Sequence, residues 1–127
     1  MDILNADNAR AYLAAGPSTG TLRAVLAGVE LAGAISHRQQ PGSQQAAAYQ
    51  AAARVLRAGL QLAETQATYD RLVAHRGRLL RYHDECPDGD ARKGIVEAQL
   101  ADVGDRIRKA EDALSSAADA AEEEGLA

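Results

Sequence analysis

Apolar residues between positions 96 and 121 recur at alternating steps of four and three without a break. The series consists of Val96, Leu100, Val103, Ile107, Ala110, Leu114, Ala117 and Ala121. This is the heptad spacing of a coiled coil, in which helices pack lengthwise on one another. The stretch therefore predicts a long helix that lies along a second long helix.

A second long helix is predicted upstream, from Ser43 as its N-cap to about Glu85, because no proline interrupts these residues. Its apolar spacing is less regular than that of the downstream helix, and Gly59 and Gly77 interrupt it. The candidate packing residues of this helix are Leu56, Leu60, Leu72 and Leu79.

Residues 86–90, Cys-Pro-Asp-Gly-Asp, form the clearest turn signal in the chain. Pro87 ends the preceding helix, Asp88-Gly89 is turn chemistry, and Asp90 is a good N-cap for the next helix. So short a connection makes the two long helices antiparallel neighbours. The prediction is a coiled-coil-like antiparallel helical hairpin over residues 43–124.

The turn also predicts a register. With its centre near Gly89, facing residues have indices that sum to about 178, and this places opposite charges together. The predicted ion pairs are Arg81 with Glu97, Arg76 with Asp102, Asp70 with Arg108, and Arg54 with Glu124. The acidic run at 122–124 sits unfavourably at a helix C-terminus, so that end is expected to fray unless Arg54 and Arg57 lie near it.

Two shorter helices are predicted before the hairpin. Asn5 or Asp7 can cap the first, over about 6–15, and Gly16-Pro17 ends it. The second, over about 21–39, is apolar nearly all round. The chain is thus predicted to be one all-α domain over 1–127, with the N-terminal helices in 1–41.

The apolar second helix has two interpretations that the sequence leaves open. It is either a core helix of its own domain or an interface between subunits, because only a narrow stripe of it is polar. The candidate interface residues are Leu22, Ala24, Leu26, Gly28, Val29 and Ala32. Composition favours partner chains: alanine supplies 29 residues while Ile, Val and Leu together supply 24, which gives thin cores.

Signals for chemistry are weak. His83 and Cys86 are three residues apart, but no second ligand pair exists for a structural zinc site. No nucleophile pattern or phosphate loop is present. We therefore expect no enzyme activity and no cofactor. No apolar run is long enough to span a bilayer, and no secretory signal is visible, so a cytoplasmic or virion location is expected.

Two functional hypotheses remain. The first is a non-enzymatic structural or adaptor protein that acts through helix–helix contacts with other subunits, as a homo-oligomer or as part of an assembly such as a virion or scaffold. The alternative is a nucleic-acid-associated protein that uses the basic stretch from Arg54 to Arg81. The net charge of −4 argues against nucleic acid.

Overall fold

The computed structural model of the chain describes residues 2–126 and contains four helices there. They are α1 (Ala6–Ala14), α2 (Thr19–Gln39), α3 (Gln44–Glu85) and α4 (Ala91–Glu123). No strand occurs within the described residues. The long helix α3 packs against α4 and against α2, which confirms the predicted all-α fold with a helical hairpin.

Each helix begins at a polar residue that caps its first turn. The side chains of Asn5, Ser18, Ser43 and Asp90 accept hydrogen bonds from backbone N–H groups two or three residues later, at 2.9, 3.2, 3.1 and 2.9 Å respectively. These bonds satisfy N–H groups that have no partner inside the helix. The helix starts are therefore determined by local chemistry.

The C-terminus of α4 is closed, in contrast to the fraying that its acidic run predicts. Gly125 has a positive φ of 79°, its N–H donates to the Glu122 carbonyl, and the Leu126 N–H donates to the Ala121 carbonyl, both at 2.9 Å. This is a Schellman motif. The Nε of Arg10 also donates to the Glu124 carbonyl at 2.8 Å. A cation from α1, rather than Arg54 or Arg57, thus lies at the negative end of the helix.

The residues group into two compact units, Met1–Glu64 with Ala117–Ala127, and Thr65–Ser116. We call them the helix-packing unit and the hairpin unit. The prediction of a single domain was made from length alone, and it stays a prediction.

The helix-packing unit holds the main apolar core. Leu22, Val55 and Leu56 are its largest fully buried side chains. Two glycines mark close helix approaches: a Cβ on Gly33 would lie 3.2 Å from Tyr49 Cβ, and one on Gly59 would lie 2.6 Å from a methyl group of Leu13. Small residues thus bring α2 and α1 close to α3. The remaining buried members of the core are Ile3, Ala9, Leu26, Val29, Ala52 and Ala53.

The hairpin unit has a heptad-spaced row of buried or half-buried residues on each helix. On α4 the row comprises Val96, Leu100, Val103, Ile107, Ala110 and Leu114. On α3 it comprises Thr65, Tyr69, Leu72, Arg76, Leu79, His83 and Cys86. The spacing on α3 is therefore as regular as on α4, and the irregularity expected from the sequence arises because three members of the row are polar.

Among residues 2–126, one buried side-chain polar atom lacks a hydrogen-bond partner. The Tyr12 hydroxyl is buried and makes no hydrogen bond, although its ring packs against the main core. A buried hydroxyl without a partner loses its hydration and gains nothing in return.

We expect Tyr12→Phe to raise the free energy of unfolding by about 1 kcal/mol, because it removes the unpaired hydroxyl and keeps the ring. Urea denaturation followed by circular dichroism measures the change. Tyr82→Phe is the matched control, since Tyr82 is an exposed tyrosine. A loss of stability in Tyr12→Phe would show that the hydroxyl has a partner.

Candidate protein-interaction surfaces

Helix α2 divides into an inward and an outward side. Leu22, Leu26 and Val29 are buried in the core of the helix-packing unit. Among the other predicted interface residues, Ala24 and Gly28 are exposed and Ala32 is half-buried. Of the predicted interface residues, the three large ones therefore belong to the internal core, and the three small ones lie at or near the surface.

The outward side of α2 carries no charged side chain from Gly20 to Ile35. Its two large members are Leu31, which is 62% exposed, and Ile35, which is 45% exposed. The exposed residues that complete this side are Gly20, Ala24, Ala27, Gly28 and Ala34. We call this set the α2 outer face. A surface helix normally presents polar residues to solvent, so four turns without a charge mark a candidate contact surface.

Two charged residues of α2, Arg23 and Glu30, lie on its flank and contact α3, while Arg38 lies in its last turn, beyond Ile35. Arg23 is paired with Glu64 at 3.1 Å, and Glu30 lies 3.7 Å from Arg57. All four side chains are at least one-third exposed, so these ion pairs contribute little stability. Their effect is to hold charge at the α2–α3 boundary and away from the α2 outer face.

The turn of the hairpin is a cluster of short-range ion pairs. Arg92 contacts Asp90 at 2.7 Å and Lys93 contacts Asp88 at 2.8 Å. The Arg92 side chain, together with its backbone N–H, lowers the pKa of Asp90 to about 2. Lys93 likewise lowers the pKa of Asp88. Both carboxylates are therefore ionised down to acidic pH and hold the turn through their cations.

These contacts make the hairpin turn sensitive to acid. The pKa of Asp90 in the folded chain lies below its ordinary value of 3.8, so its stabilisation is present above that value and is lost as the pH falls towards about 2. In Asp90→Asn the amide still caps α4 but carries no charge. We expect wild type to melt at a higher temperature than Asp90→Asn at neutral pH, and the difference to shrink over this acidic range. A difference that persists at the lowest pH would contradict the role of the charge.

The four ion pairs predicted from the register do not form within the described residues: some of their residues contact other side chains, and others form no ion pair. The Glu97 carboxylate contacts His83 Nε2 at 3.0 Å instead of Arg81, a pair whose indices sum to 180, against the predicted sum of about 178. The other carboxylates are paired within their own helix: Asp102 with Arg106, Asp105 with Arg108, and Asp70 with Gln66. Arg54, Arg76 and Arg81 form no ion pair with residues 2–126. The backbone carbonyl of Glu124 accepts a hydrogen bond from Arg10. Most of these side chains are exposed, and an i,i+3 or i,i+4 partner on the same helix costs less ordering than one on the neighbouring helix.

An open apolar groove lies along the hairpin unit. Leu72 and His75 of α3 line it together with Ile95, Ala98 and Val103 of α4. Ile95 is 61% exposed there. Two helices alone cover the apolar rows of a hairpin incompletely, which leaves this groove beside the packed residues.

Two groups of like charge remain without ion pairs in the described part of the chain. The first is cationic and comprises Arg71, Arg76, Arg78 and Arg81, among which Arg71 donates to Thr68 Oγ1. The second is anionic and comprises Glu111, Asp112, Asp119, Glu122, Glu123 and Glu124. The ion pairs described above lie instead at the α2–α3 boundary, at the hairpin turn and in the middle of α4.

The residues considered for metal binding do not converge. His83 faces Glu97, and Cys86 is a buried free cysteine at the turn. Within residues 2–126 no three His, Cys, Asp or Glu side chains are grouped so as to hold a metal ion. The same residues include no helix with the length and apolarity needed to cross a membrane.

We compared the chain with known proteins by sequence and by structure. No family model, no curated protein and no solved structure matches this chain.

Proposed function

We propose that this is a non-catalytic structural or adaptor protein that acts through helix–helix contacts, and that the α2 outer face is its principal contact surface. The observation that carries the proposal is the exposed, uncharged side of α2 from Gly20 to Ile35, which includes Leu31. The contact partner is a helix of another subunit, in a homo-oligomer or in a larger assembly such as a virion or scaffold.

The chemistry of the α2 outer face suits a helical partner. Complete burial of an exposed leucine or isoleucine is worth about 1.5–3 kcal/mol, so Leu31 and Ile35 supply the apolar anchors. Ala24, Ala27 and Gly28 lie beside them and present almost no side chain. Small residues of this kind allow a second backbone to approach closely, which favours a helix over a loop as the occupant.

The test is the molar mass in solution, measured by light scattering or sedimentation over a range of concentrations. At high ionic strength, where contacts between exposed charges are screened, we expect wild type to exceed the 13.3 kDa of one chain and Leu31→Glu with Ile35→Glu to return it to that mass. Both residues are exposed, so the fold should survive, and circular dichroism checks this. Leu80→Glu with Ile95→Glu is the matched control, because these residues are equally apolar and exposed but lie on α3 and α4.

The measured masses distinguish a homo-oligomer from an assembly with a different protein. A wild-type mass equal to one chain at every concentration would exclude the homo-oligomer and leave a partner of different sequence. An equal effect of both double variants would show that exposed apolar residues cause nonspecific association, and that α2 has no particular role.

Binding of nucleic acid through the stretch from Arg54 to Arg81 is the competing function. The unpaired arginines between 71 and 81 favour it, since cations without internal partners are free to neutralise phosphates. The overall negative charge of the protein opposes it.

A further inference from the structure

Most of the charged side chains without ion pairs among residues 2–126 fall in two stretches, each of a single sign. From Arg71 to Tyr82 the sequence contains four arginines and no carboxylate. From Ala110 to Glu124 it contains six carboxylates and no basic residue. The two stretches lie on different helices, α3 and α4, and none of their charged groups forms an ion pair with residues 2–126.

The spacing of the charges is the same in both stretches. Arg71 and Arg78 are seven residues apart, and so are Asp112 and Asp119. Seven residues make two helical turns, or about 10 Å, so each pair lies on one face of its helix. All four side chains are exposed. A parallel alignment that pairs Arg71 with Asp112 also pairs Arg78 with Asp119 and brings Arg81 next to Glu122.

We infer that the arginine row of α3 binds the carboxylate row of α4 in a second copy of this chain. Charge complementarity selects this occupant: the chain carries both rows in matching periods, and neither row forms an ion pair among residues 2–126. A nucleic acid would match the arginine row alone and would leave the carboxylate row without a partner of opposite charge. The contact is separate from the α2 outer face, although it serves the same helix-mediated assembly proposed above.

Electrostatic contacts of this kind select partners and orientation more than they supply affinity. Exposed ion pairs are weakened by salt, whereas an apolar contact is not weakened in this way. The two contact surfaces therefore differ in how their affinity depends on salt, and this difference allows the two contacts to be measured separately.

The experiment uses sedimentation equilibrium of the full chain carrying Leu31→Glu, which removes the α2 contact. We expect residual self-association that falls with rising ionic strength. Arg71→Glu with Arg78→Glu should weaken it about tenfold, since two ion pairs become two repulsions. Asp112→Arg with Asp119→Arg should do the same. An equimolar mixture of the two double variants should associate about as strongly as the parent, because each restores the other's complement.

The control is Arg54→Glu with Lys109→Glu, which changes the net charge as the arginine variant does but leaves both rows intact. We expect it to retain association. No association of the Leu31→Glu chain at low ionic strength, or no rescue in the mixture, would overturn the charge contact and leave the α2 proposal untouched. Binding of a fluorescent oligonucleotide that is lost in Arg71→Glu with Arg78→Glu, in a chain that does not self-associate, would overturn it in favour of a polyanion.

Discussion

Leu56→Ala is expected to lower the free energy of unfolding by about 3 kcal/mol. Leu56 is fully buried, with an exposed fraction of 0%, and lies in the main core with Leu22 and Val55. Its truncation loses the transfer free energy of three carbons and leaves a cavity. The neighbours that would have to fill this cavity include Ala52 and Ala53, whose side chains are too short to do so.

The matched control is Leu31→Ala, which makes the same chemical change on a surface that is 62% exposed in the single chain. We expect a change within about 0.5 kcal/mol, measured at a concentration where the chain is monomeric. Urea denaturation of both variants provides the comparison. Equal losses in the two variants would mean that α3 does not pack on α2 through Leu56.

Ile107→Ala is expected to cost about 2–4 kcal/mol, and its effect should appear in the hairpin unit. Ile107 is 3% exposed and lies in the heptad row of α4 between Val103 and Ala110. Ile95, on the same helix, is 61% exposed. Ile95→Ala should be nearly neutral, because alanine is the better helix former and little packing is lost.

Amide hydrogen exchange measured residue by residue distinguishes the two effects. In Ile107→Ala we expect faster exchange in residues 65–116, where the cavity forms. Faster exchange confined to the helix-packing unit would show that Ile107 stabilises a different part of the molecule. A loss in Ile95→Ala as large as that in Ile107→Ala would contradict the heptad row on α4.

The helices themselves could be predicted from the sequence, with ends within two residues of those observed. The signals are local and chemical: Asn5, Ser18, Ser43 and Asp90 cap the helix starts, and glycine or proline follows the ends. The closure of α4 was missed because Arg10 and Glu124 are 114 residues apart, and no local pattern links them.

The division of α2 into two sides could not be predicted with the same certainty. Alanine and glycine bury so little surface that their transfer free energies hardly distinguish inside from outside. The large residues of α2 contained the available signal: Leu22, Leu26 and Val29 follow helical spacing, and Leu31 and Ile35 lie off it. Neither the homo-oligomer nor the adaptor function is tested by this distribution, and both stay predictions.

The heptad row of α3 was obscured by a count of apolar residues alone. Residues 65, 72, 79 and 86 follow one another at steps of seven, and so do 69, 76 and 83. Thr65, Arg76 and His83 interrupt the apolar pattern although they hold the same positions in the helix. A search for the seven-residue period that ignores residue type would have found the row.

These polar positions bear on how the protein fluctuates. None of the largest fully buried side chains belongs to residues 65–116, where Arg76 and His83 occupy sites that aliphatic groups usually fill. Regions with little buried apolar area open at lower free energy than a well-packed core. The hairpin unit should therefore open at lower free energy than the helix-packing unit, and its parts of α3 and α4 then transiently expose their inner faces. A partner that captures such an opened state would compete with the hairpin's own pairing, and the weak packing would set how readily it succeeds.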